Sequence, residues 1–284
     1  MDPLLQRDFA LPMLQELAER VGRGERPWFG LNGPVGAGKS LFCQQLLELA
    51  APLGLRLGVA SIDDLYLPWN QRIQAMAGNP FGVNRVPPGS HDLPLLLERL
   101  GAWRAGGPLR LPRFDKTLRE GDGDRLAATP SGPEDRVDAL VLEGWLMGCR
   151  PLGLGASSAE RFVGLELAPG LPPLSAEEAA WLSRWDQHLE AYAPLWDGWD
   201  GLWLLQPAHW GLPRRWRFQA EARQRHRGGA WLAPAALDAL VRASLASLPP
   251  ALYQAPLQAH AKASALLNGR RQCLQVAWLR DAER

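Results

Sequence analysis

The stretch LNGPVGAGKS at residues 31–40 constrains this chain more than any other part of it. It fits the pattern G-x-x-x-x-G-K-[ST] at Gly33, Gly38, Lys39 and Ser40. Glycines in such a loop let the backbone curl, so that several N–H groups point at one anion. A helix that begins at the loop directs the positive end of its dipole at the same anion. The motif therefore predicts a loop that binds phosphate.

The flanking sequence supplies the context that the motif requires. PWFGL at residues 27–31 is a short apolar run that predicts a buried strand, and residues 40–54 carry apolar side chains at helical spacing up to Gly54. We expect Lys39 to reach the β- and γ-phosphates of ATP and the Ser40 hydroxyl to bind Mg²⁺. The predicted ATP-binding residues of the loop are Gly33, Pro34, Val35, Gly36, Ala37, Gly38, Lys39, Ser40 and Leu41.

Composition excludes several classes of protein. The chain has 284 residues, and its 31 Lys and Arg residues are balanced by 30 Asp and Glu residues. A net charge of +1 disfavours both nucleic acid and a membrane surface as partners. The three cysteines fit neither a disulfide framework nor a zinc site, and the acidic N-terminal sequence does not resemble a signal or transit peptide. We therefore expect a protein of a reducing compartment, the cytoplasm.

Apolar strand patterns alternate with helical patterns along the chain. Strands are predicted at 27–32, 55–62, 138–144, 161–167, 201–207 and 272–279, and helices at 10–22, 39–51, 93–104, 175–192, 214–227 and 234–248. This alternation predicts an α/β P-loop NTPase fold, with a mostly parallel sheet flanked by helices on both faces. Residues 1–284 would form one domain, with an N-terminal helix within residues 1–26 packed on it. Long loops within 66–136 are expected to be functional.

Acidic residues lie at the carboxyl ends of two of the predicted strands. Doubly wound sheets bind ligands at the carboxyl ends of their strands, where Asp63, Asp64 and Glu143 are expected. We predict Asp63 as the catalytic base, on a strand next to that of the P-loop, and Glu143 as the acid near the metal. The predicted Mg²⁺ ligands are Ser40, Asp63, Asp64 and Glu143. Asp64 alone is also compatible with a helix N-cap or a turn.

Several further segments carry a resemblance to a known family. They are SIDDLYLP at 61–68, PGSHDLPLL at 88–96, LPRFDKTLREGDGDR at 111–125, VLEGWLMGCRPL at 141–152, LEAYAPLWDGWDGLWLLQP at 189–207 and WRFQAEARQR at 216–225. Together with the P-loop they resemble glycerate 3-kinase of the plant and cyanobacterial type. This group lies within the P-loop kinases that include phosphoribulokinase, uridine kinase and bacterial pantothenate kinase. The resemblance covers about residues 28–226.

The resemblance implies roles for residues at matching positions. Asp63 corresponds to the catalytic base, and Lys39 and Arg217 are implied to act on the transferred phosphoryl group. Arg215 and Arg223 are implied to bind phosphate from an arginine-bearing helical lid at 208–230. Arginines there would stabilise charge on the phosphoryl group and exclude water. The alternative for this arginine-rich helix is a solvated basic face.

The resemblance also implies an acceptor pocket within residues 66–136. Its candidate residues come from the matched motifs, and a small hydroxy acid would need a cation for its carboxylate. Arg113 suits bidentate carboxylate binding, whereas Asp92 is also compatible with a helix cap and His91 with an ordinary buried histidine. The candidates are His91, Asp92, Arg113, Asp115, Lys116 and Arg125.

The expected activity is the transfer of phosphate from ATP to D-glycerate, giving 3-phospho-D-glycerate and ADP, with ATP and Mg²⁺ as cofactors. One alternative is a P-loop kinase for another hydroxyl acceptor, such as a nucleoside, pantothenate or a sugar phosphate. Another is a regulatory NTPase whose turnover of ATP is independent of any acceptor. The sequence makes no prediction about oligomeric state.

Overall fold

The computed structural model describes residues 1–126, 136–226 and 231–279. The strands in these ranges are β1 (Trp28–Asn32), β2 (Leu57–Ser61), β3 (Phe114–Asp115), β4 (Asp124–Arg125), β5 (Ala139–Gly144), β6 (Gly201–Pro207), β7 (Ala263–Leu267) and β8 (Cys273–Trp278). The α-helices are α1 (Pro3–Leu5), α2 (Leu11–Gly22), α3 (Lys39–Ala50), α4 (Trp69–Ala75), α5 (Leu93–Arg104), α6 (Ala176–Ala180), α7 (Leu182–His188), α8 (Ala193–Gly198), α9 (Leu212–His226), α10 (Pro234–Ser247) and α11 (Pro250–Tyr253).

Six of the strands form one sheet in the order β2-β5-β1-β6-β7-β8. Every neighbouring pair is parallel except β7 and β8, which are antiparallel. All residues of β1 and β5 are buried, as expected for parallel strands with helices on both faces. The predicted α/β fold with a mostly parallel sheet is therefore confirmed.

Alternate residues of the central strands build a hydrophobic core on each face of the sheet, because successive side chains of a strand point to opposite faces. One core contains residues of α5, α8 and α10, and the sheet contributes to it Leu140, Leu142, Leu202 and Leu204. The other contains residues of α2, α3 and α9, and the sheet contributes to it Phe29, Leu31, Val141 and Trp203. Both faces are thus covered by helices.

The prediction that Asp63 follows a strand next to that of the P-loop is wrong, because β5 lies between β2 and β1. β5 pairs with both neighbours and is buried along its whole length, whereas three of the five residues of β2 are partly exposed. A strand that is apolar at nearly every position is most stable between two others, and the more exposed β2 tolerates the edge.

The predicted strand at 161–167 is also wrong. Residues Ala156–Phe162 form a 3₁₀ helix, and Gly164 then turns the chain with a φ of 83°. The apolar residues of this segment pack on Leu174 and α7 in a small separate cluster instead of joining the sheet. Conversely, the structure contains a strand, β7, that the sequence analysis does not predict. Its sequence ASALL is rich in alanine, which is uncommon in strands.

Two helix predictions need smaller corrections. The predicted helix at 175–192 is interrupted, and consists of α6, α7 and a 3₁₀ turn at Leu189–Tyr192. The N-terminal helix, predicted from residue 10, begins at Pro3 and continues through a π-helical turn at Gln6–Ala10 into α2. The Asp2 side chain caps its first turn by accepting from the amides of Leu4 and Leu5.

The N-terminal helix packs on the sheet through Phe9, whose side chain is fully buried. The Phe9 ring makes edge-to-face contacts with Phe42 of α3 and with Trp203 of β6, at centroid distances of 5.7 and 5.1 Å. Such aromatic pairs add to the free energy gained by burying their area. Residues 1–22 therefore help to cover the face of the sheet that carries α3.

Replacing Phe9 by alanine should lower the free energy of unfolding by about 3–5 kcal/mol, because it opens a cavity between α3 and β6. Urea unfolding followed by tryptophan fluorescence would measure the change. Leu11→Ala provides a control on the same helix, since Leu11 is 41% exposed and its truncation should cost less than about 1 kcal/mol. Equal effects of the two substitutions would contradict this account of the packing.

Candidate active site

A cavity of about 650 Å³ opens at the carboxyl ends of β1, β2 and β5. Its lining contains six Lys or Arg residues but only two acidic residues, Asp63 and Glu143. The excess of cations in a protein of net charge +1 indicates a site for a polyanion. The lining residues are Val35, Gly36, Gly38, Lys39, Ser40, Leu41, Asp63, Tyr66, Arg85, Val86, Lys116, Glu143, Gly144, Trp145, Arg217, Ala220, Arg223, Gln224, Leu240, Val241 and Arg271.

The P-loop joins β1 to α3 in the predicted strand, loop and helix arrangement. Gly36 and Gly38 have φ values of 76° and 94°, which side chains rarely adopt. A Cβ atom on Gly36 would also lie 2.7 Å from the amide nitrogen of Arg217 in α9. The glycine thus lets the loop curl and lets α9 approach it closely.

Lys39 lies inside the loop. Its Nζ donates to the carbonyl oxygens of Gly33 and Pro34, at 2.7 and 3.2 Å, and lies 3.9 Å from a carboxylate oxygen of Glu143. Burial lowers the pKa of Lys39, and the carboxylates of Glu143 and Asp63 partly oppose that shift. The ammonium group is therefore positioned at the base of the loop, where it borders the cavity.

Ser40 and Glu143 face each other across the end of the sheet. The Ser40 hydroxyl donates to Oε1 of Glu143 at 2.8 Å, and the Glu143 residue is only 5% exposed. The described residues contain no group of three or more His, Cys, Asp or Glu side chains that could hold a metal by themselves. Mg²⁺ in phosphate-transferring sites needs only one or two protein oxygens besides the phosphates. The Ser40 and Glu143 oxygens fit that requirement.

Asp63 follows β2 at the start of a 3₁₀ turn, Ile62–Leu65, and borders the same cavity. Its Oδ2 accepts from Nζ of Lys116 at 2.7 Å. Burial raises the pKa of the Asp63 carboxyl, but the charge and hydrogen bond of the Lys116 ammonium, with a hydrogen bond from Tyr66, outweigh it, so the pKa lies below its usual range. The carboxyl is therefore ionised at neutral pH.

Asp64 points away from the cavity and has structural partners. Its Oδ2 accepts from the amide of Ser61, which forms a capping box with the adjacent 3₁₀ turn. The same carboxylate accepts from the amide of Phe114 at 3.1 Å and from Nη1 of Arg113 at 3.3 Å. The alternative predicted for Asp64, a cap, therefore describes its contacts, and Asp64 is not part of the cavity lining.

The predicted acceptor residues do not all come together. Lys116 borders the cavity, but Arg113 and Asp115 lie outside its lining, and Asp115 accepts from the amide and hydroxyl of Thr117 in a local turn. Asp92 caps α5 by accepting from the amide of Leu95. These contacts give Arg113, Asp115 and Asp92 a role in positioning loops rather than in lining the cavity.

Arg125 fastens the 114–125 hairpin to the chain that carries Asp63. Its Nε donates to the carbonyl of Tyr66 at 2.6 Å, and its Nη2 lies 2.9 Å from the carboxylate of Asp92. Asp92 in turn caps α5. The Arg125–Asp92 ion pair therefore joins the hairpin to α5, and the bond from Arg125 to Tyr66 joins the hairpin to the segment after β2. Arg125 is therefore placed behind the cavity wall.

His91 is buried behind Tyr66. Its ring stacks on the Tyr66 ring at a centroid distance of 4.6 Å, and its Nδ1 lies 2.6 Å from the Tyr192 hydroxyl. Burial lowers the pKa of His91 to about 4, although the Asp63 carboxylate opposes the shift. The imidazole is therefore neutral at physiological pH and supports the cavity wall from behind.

The arginines of α9 divide into two groups. Arg217 and Arg223 border the cavity, and Arg217 also pairs with the buried Glu221 at 3.1 Å. Arg215 is exposed and lies outside the lining. Since the N-terminal half of α9 is anchored by the fully buried Trp216, helical spacing turns Arg215 away from the loop.

Two arginines of the cavity were not predicted from the sequence. Arg271, in the turn between β7 and β8, donates through Nε to the carbonyl of Gly36 and through Nη2 to that of Trp216, both at 2.7 Å. It thereby ties the P-loop to α9. Arg85 lies in the Pro- and Gly-rich passage before α5. Neither position carries a local motif, so only the three-dimensional contacts identify them.

A third unpredicted arginine, Arg72 of α4, is fully buried without bordering the cavity. Its guanidinium lies 4.8 Å from the centroid of the Phe114 ring, and its Nη2 donates to the carbonyls of Gly123 and Asp122 at 2.5 and 3.2 Å. Burial lowers the pKa of Arg72. It holds the 114–125 hairpin against α4.

Comparison with known proteins gives a consistent result, although no family profile matches the chain. The chain is 32% identical over 147 residues to the probable ATP-dependent kinase TDA10 of Saccharomyces cerevisiae, a match that covers 47% of this chain and 50% of TDA10. It is 26% identical over 208 residues to the uncharacterized kinase mug58 of Schizosaccharomyces pombe, covering 69% of this chain and 70% of mug58. The structure of D-glycerate 3-kinase from Cryptococcus neoformans superposes with a TM-score of 0.76 at 23% identity, over 96% of this chain and 99% of that one.

These similarities confirm the predicted fold and the resemblance to glycerate 3-kinase at the level of structure. The match to TDA10 spans about half of that protein. The three proteins named above are fungal and do not test the plant and cyanobacterial type, which stays a prediction. Within the described ranges, no helix has the length and apolar character needed to cross a membrane.

The buried His91 should make stability depend on pH. The pKa of His91 is about 4 in the folded protein, whereas its ordinary value, expected in the unfolded chain, is 6.5. Between these two pH values the unfolded chain therefore binds more protons than the folded protein. Stability should therefore fall as the pH falls through this window, by about 2 kcal/mol at pH 5 from His91 alone. His91→Gln should reduce the difference between urea-unfolding free energies at pH 7 and pH 5.

His226→Gln is the control for that measurement, because the exposed His226 should leave stability nearly unchanged at both pH values. His188 is also buried enough for its pKa to be lowered, so some pH dependence should persist in the His91 variant. An unchanged pH dependence in His91→Gln would contradict a neutral buried imidazole.

Proposed function

We propose that this chain is an ATP-dependent kinase that phosphorylates D-glycerate to 3-phospho-D-glycerate and releases ADP. The observation that carries the proposal is the meeting of a P-loop, a Ser40–Glu143 pair and an ionised Asp63 paired with Lys116 around one cationic cavity. The structural likeness to a D-glycerate 3-kinase supports the choice of acceptor.

The P-loop and the neighbouring cations supply the nucleotide end of the site. Backbone N–H groups at the start of α3 would bind the ATP phosphates, and Lys39 would leave its loop carbonyls to contact the β- and γ-phosphates. Arg217, Arg223 and Arg271 face the same volume from α9 and the β7–β8 turn. Such cations stabilise the charge that spreads over the transferred phosphoryl group.

Ser40 and Glu143 are the residues that would hold Mg²⁺, directly or through water. When bound, the ion would neutralise part of the charge on the phosphate groups. The Ser40–Glu143 hydrogen bond keeps these two oxygens together at the end of β5. Asp63 approaches the same volume from β2, while the contacts of Asp64 make it a weaker candidate for the ligand set.

Asp63 is proposed to orient the acceptor hydroxyl and to take its proton. A carboxylate whose pKa is held low by Lys116 is a weak base, so proton transfer would be completed late, once the bond to phosphorus has formed. That order suits the loose transition state of phosphoryl transfer, in which positioning contributes more than proton removal. Lys116 both keeps Asp63 ionised and adds a cation at the acceptor end.

The proposal is tested by acceptor-dependent ADP release from the purified protein with Mg-ATP. The panel would contain D-glycerate, L-glycerate, uridine, pantothenate, ribulose 5-phosphate and no acceptor. ADP formed only with D-glycerate supports the proposal, and NMR of the product identifies the phosphorylated hydroxyl. ADP formed with another acceptor overturns the choice of substrate, and equal ADP release without any acceptor favours an NTPase.

Asp63→Asn should lower kcat with D-glycerate by about 10²–10⁴-fold while leaving ATP affinity nearly unchanged. Steady-state kinetics and nucleotide binding by calorimetry separate the two effects. Asp138→Asn is the control, because Asp138 lies beyond the opposite end of β5 and pairs with Arg56 on the surface. Turnover near the wild-type value in Asp63→Asn would remove this carboxylate from the mechanism.

A further inference from the structure

We propose that Arg85 binds the carboxylate of the acceptor and makes the enzyme selective for alcohols that carry this group. The inference rests on the proposed function, since it assigns the acceptor chemistry of the same site. It also replaces Arg113, the residue that the sequence favoured for this role.

Arg85 is a buried cation with unused hydrogen-bonding capacity. The residue is 5% exposed and borders the cavity. Its one hydrogen bond within the described ranges runs from Nη1 to the carbonyl oxygen of Asp122, at 2.5 Å. No Asp or Glu of those ranges forms an ion pair with it. A guanidinium has five N–H donors, and a buried charge is costly unless an anion or several acceptors are paired with it.

The neighbours of Arg85 place it at the acceptor end of the cavity rather than at the nucleotide end. Its guanidinium lies 6.0 Å from the centroid of the Phe114 ring, in the hairpin that also delivers Lys116 to Asp63. Tyr66, which borders the cavity as Asp63 does, packs edge-to-face on the same Phe114 ring at a centroid distance of 5.0 Å. A ligand held by Arg85 would therefore lie next to the proposed base.

The other cations at this end are already paired. Lys116 forms an ion pair with Asp63, and Arg113 contacts Asp64 and has a side chain that is 68% exposed. Among the cations of this region in the described ranges, Arg85 is buried, borders the cavity and has no carboxylate partner. A planar guanidinium also matches a carboxylate in a bidentate manner. One such cation suits an acceptor with one carboxylate.

The test compares D-glycerate with glycerol, which replaces the carboxylate by a hydroxymethyl group. The wild-type enzyme should prefer D-glycerate in kcat/KM by a large factor, because glycerol leaves Arg85 unpaired. Arg85→Gln should lower kcat/KM for D-glycerate by about 10²-fold or more, and should reduce the preference over glycerol by a similar factor. The Kd of ATP should stay within about twofold. Arg85→Lys, which keeps the charge, should recover part of the preference.

Arg72 offers a matched control for a merely structural effect. It donates to the same carbonyl, that of Asp122, and lies against the same Phe114 ring, but it does not border the cavity. Arg72→Gln should loosen the hairpin and lower stability and overall turnover. It should not reduce the preference for D-glycerate over glycerol in the way that Arg85→Gln does.

The outcomes distinguish this inference from the proposed function. If the wild type uses D-glycerate and Arg85→Gln keeps the full preference, or if Arg72→Gln loses it equally, the role of Arg85 is overturned while the kinase function stands. If another hydroxy acid is the acceptor and Arg85→Gln loses the preference for its carboxylate, the inference stands without glycerate. If only uncharged alcohols are phosphorylated, both are overturned.

Discussion

The parallel pairing of β5 with β1 and β2 is the contact on which the candidate site depends. Its register aligns Glu143 with Leu31 on one side and with Ser61 on the other. The acid is thereby brought to the level where β1 passes into the P-loop and β2 into the turn that carries Asp63. The Ser40–Glu143 hydrogen bond then joins the end of β5 to the start of α3. A shift of one residue in this register would send Glu143 to the other face of the sheet.

The cavity at the carboxyl ends of β1, β2 and β5 is strongly positive, although the chain as a whole is nearly neutral. The cavity lining holds six basic residues and two acidic ones. Some of these cations already have carboxylate partners, as in the Lys116–Asp63 and Arg217–Glu221 pairs. Others, such as Arg85 and Arg271, donate to backbone carbonyls and have no carboxylate partner in the described ranges. Cations of the second kind are the ones that a polyphosphate or a carboxylate would stabilise most.

Residues behind the cavity explain why much of the 66–125 segment is polar without lining the site. Arg72, Arg125 and Asp92 fasten the hairpin and α5 to the chain after β2 through carbonyl contacts and one ion pair. They allow Lys116 to reach Asp63 and keep Arg85 beside Phe114. Several residues singled out by motif thus serve to position the residues that border the cavity.

The sequence by itself determined the P-loop, the strand and helix around it, the acids at the carboxyl ends of β2 and β5, and the α/β class. These features depend on residue spacing and apolar runs within short segments, so they can be identified from the sequence alone. The tertiary structure decided that β5 lies between β1 and β2, that Asp64 and Asp92 are caps, and that Arg215 points away while Arg85 and Arg271 border the cavity. Those outcomes depend on contacts between distant segments, because an arginine has no local signal that tells a solvated side chain from one buried against a ligand site.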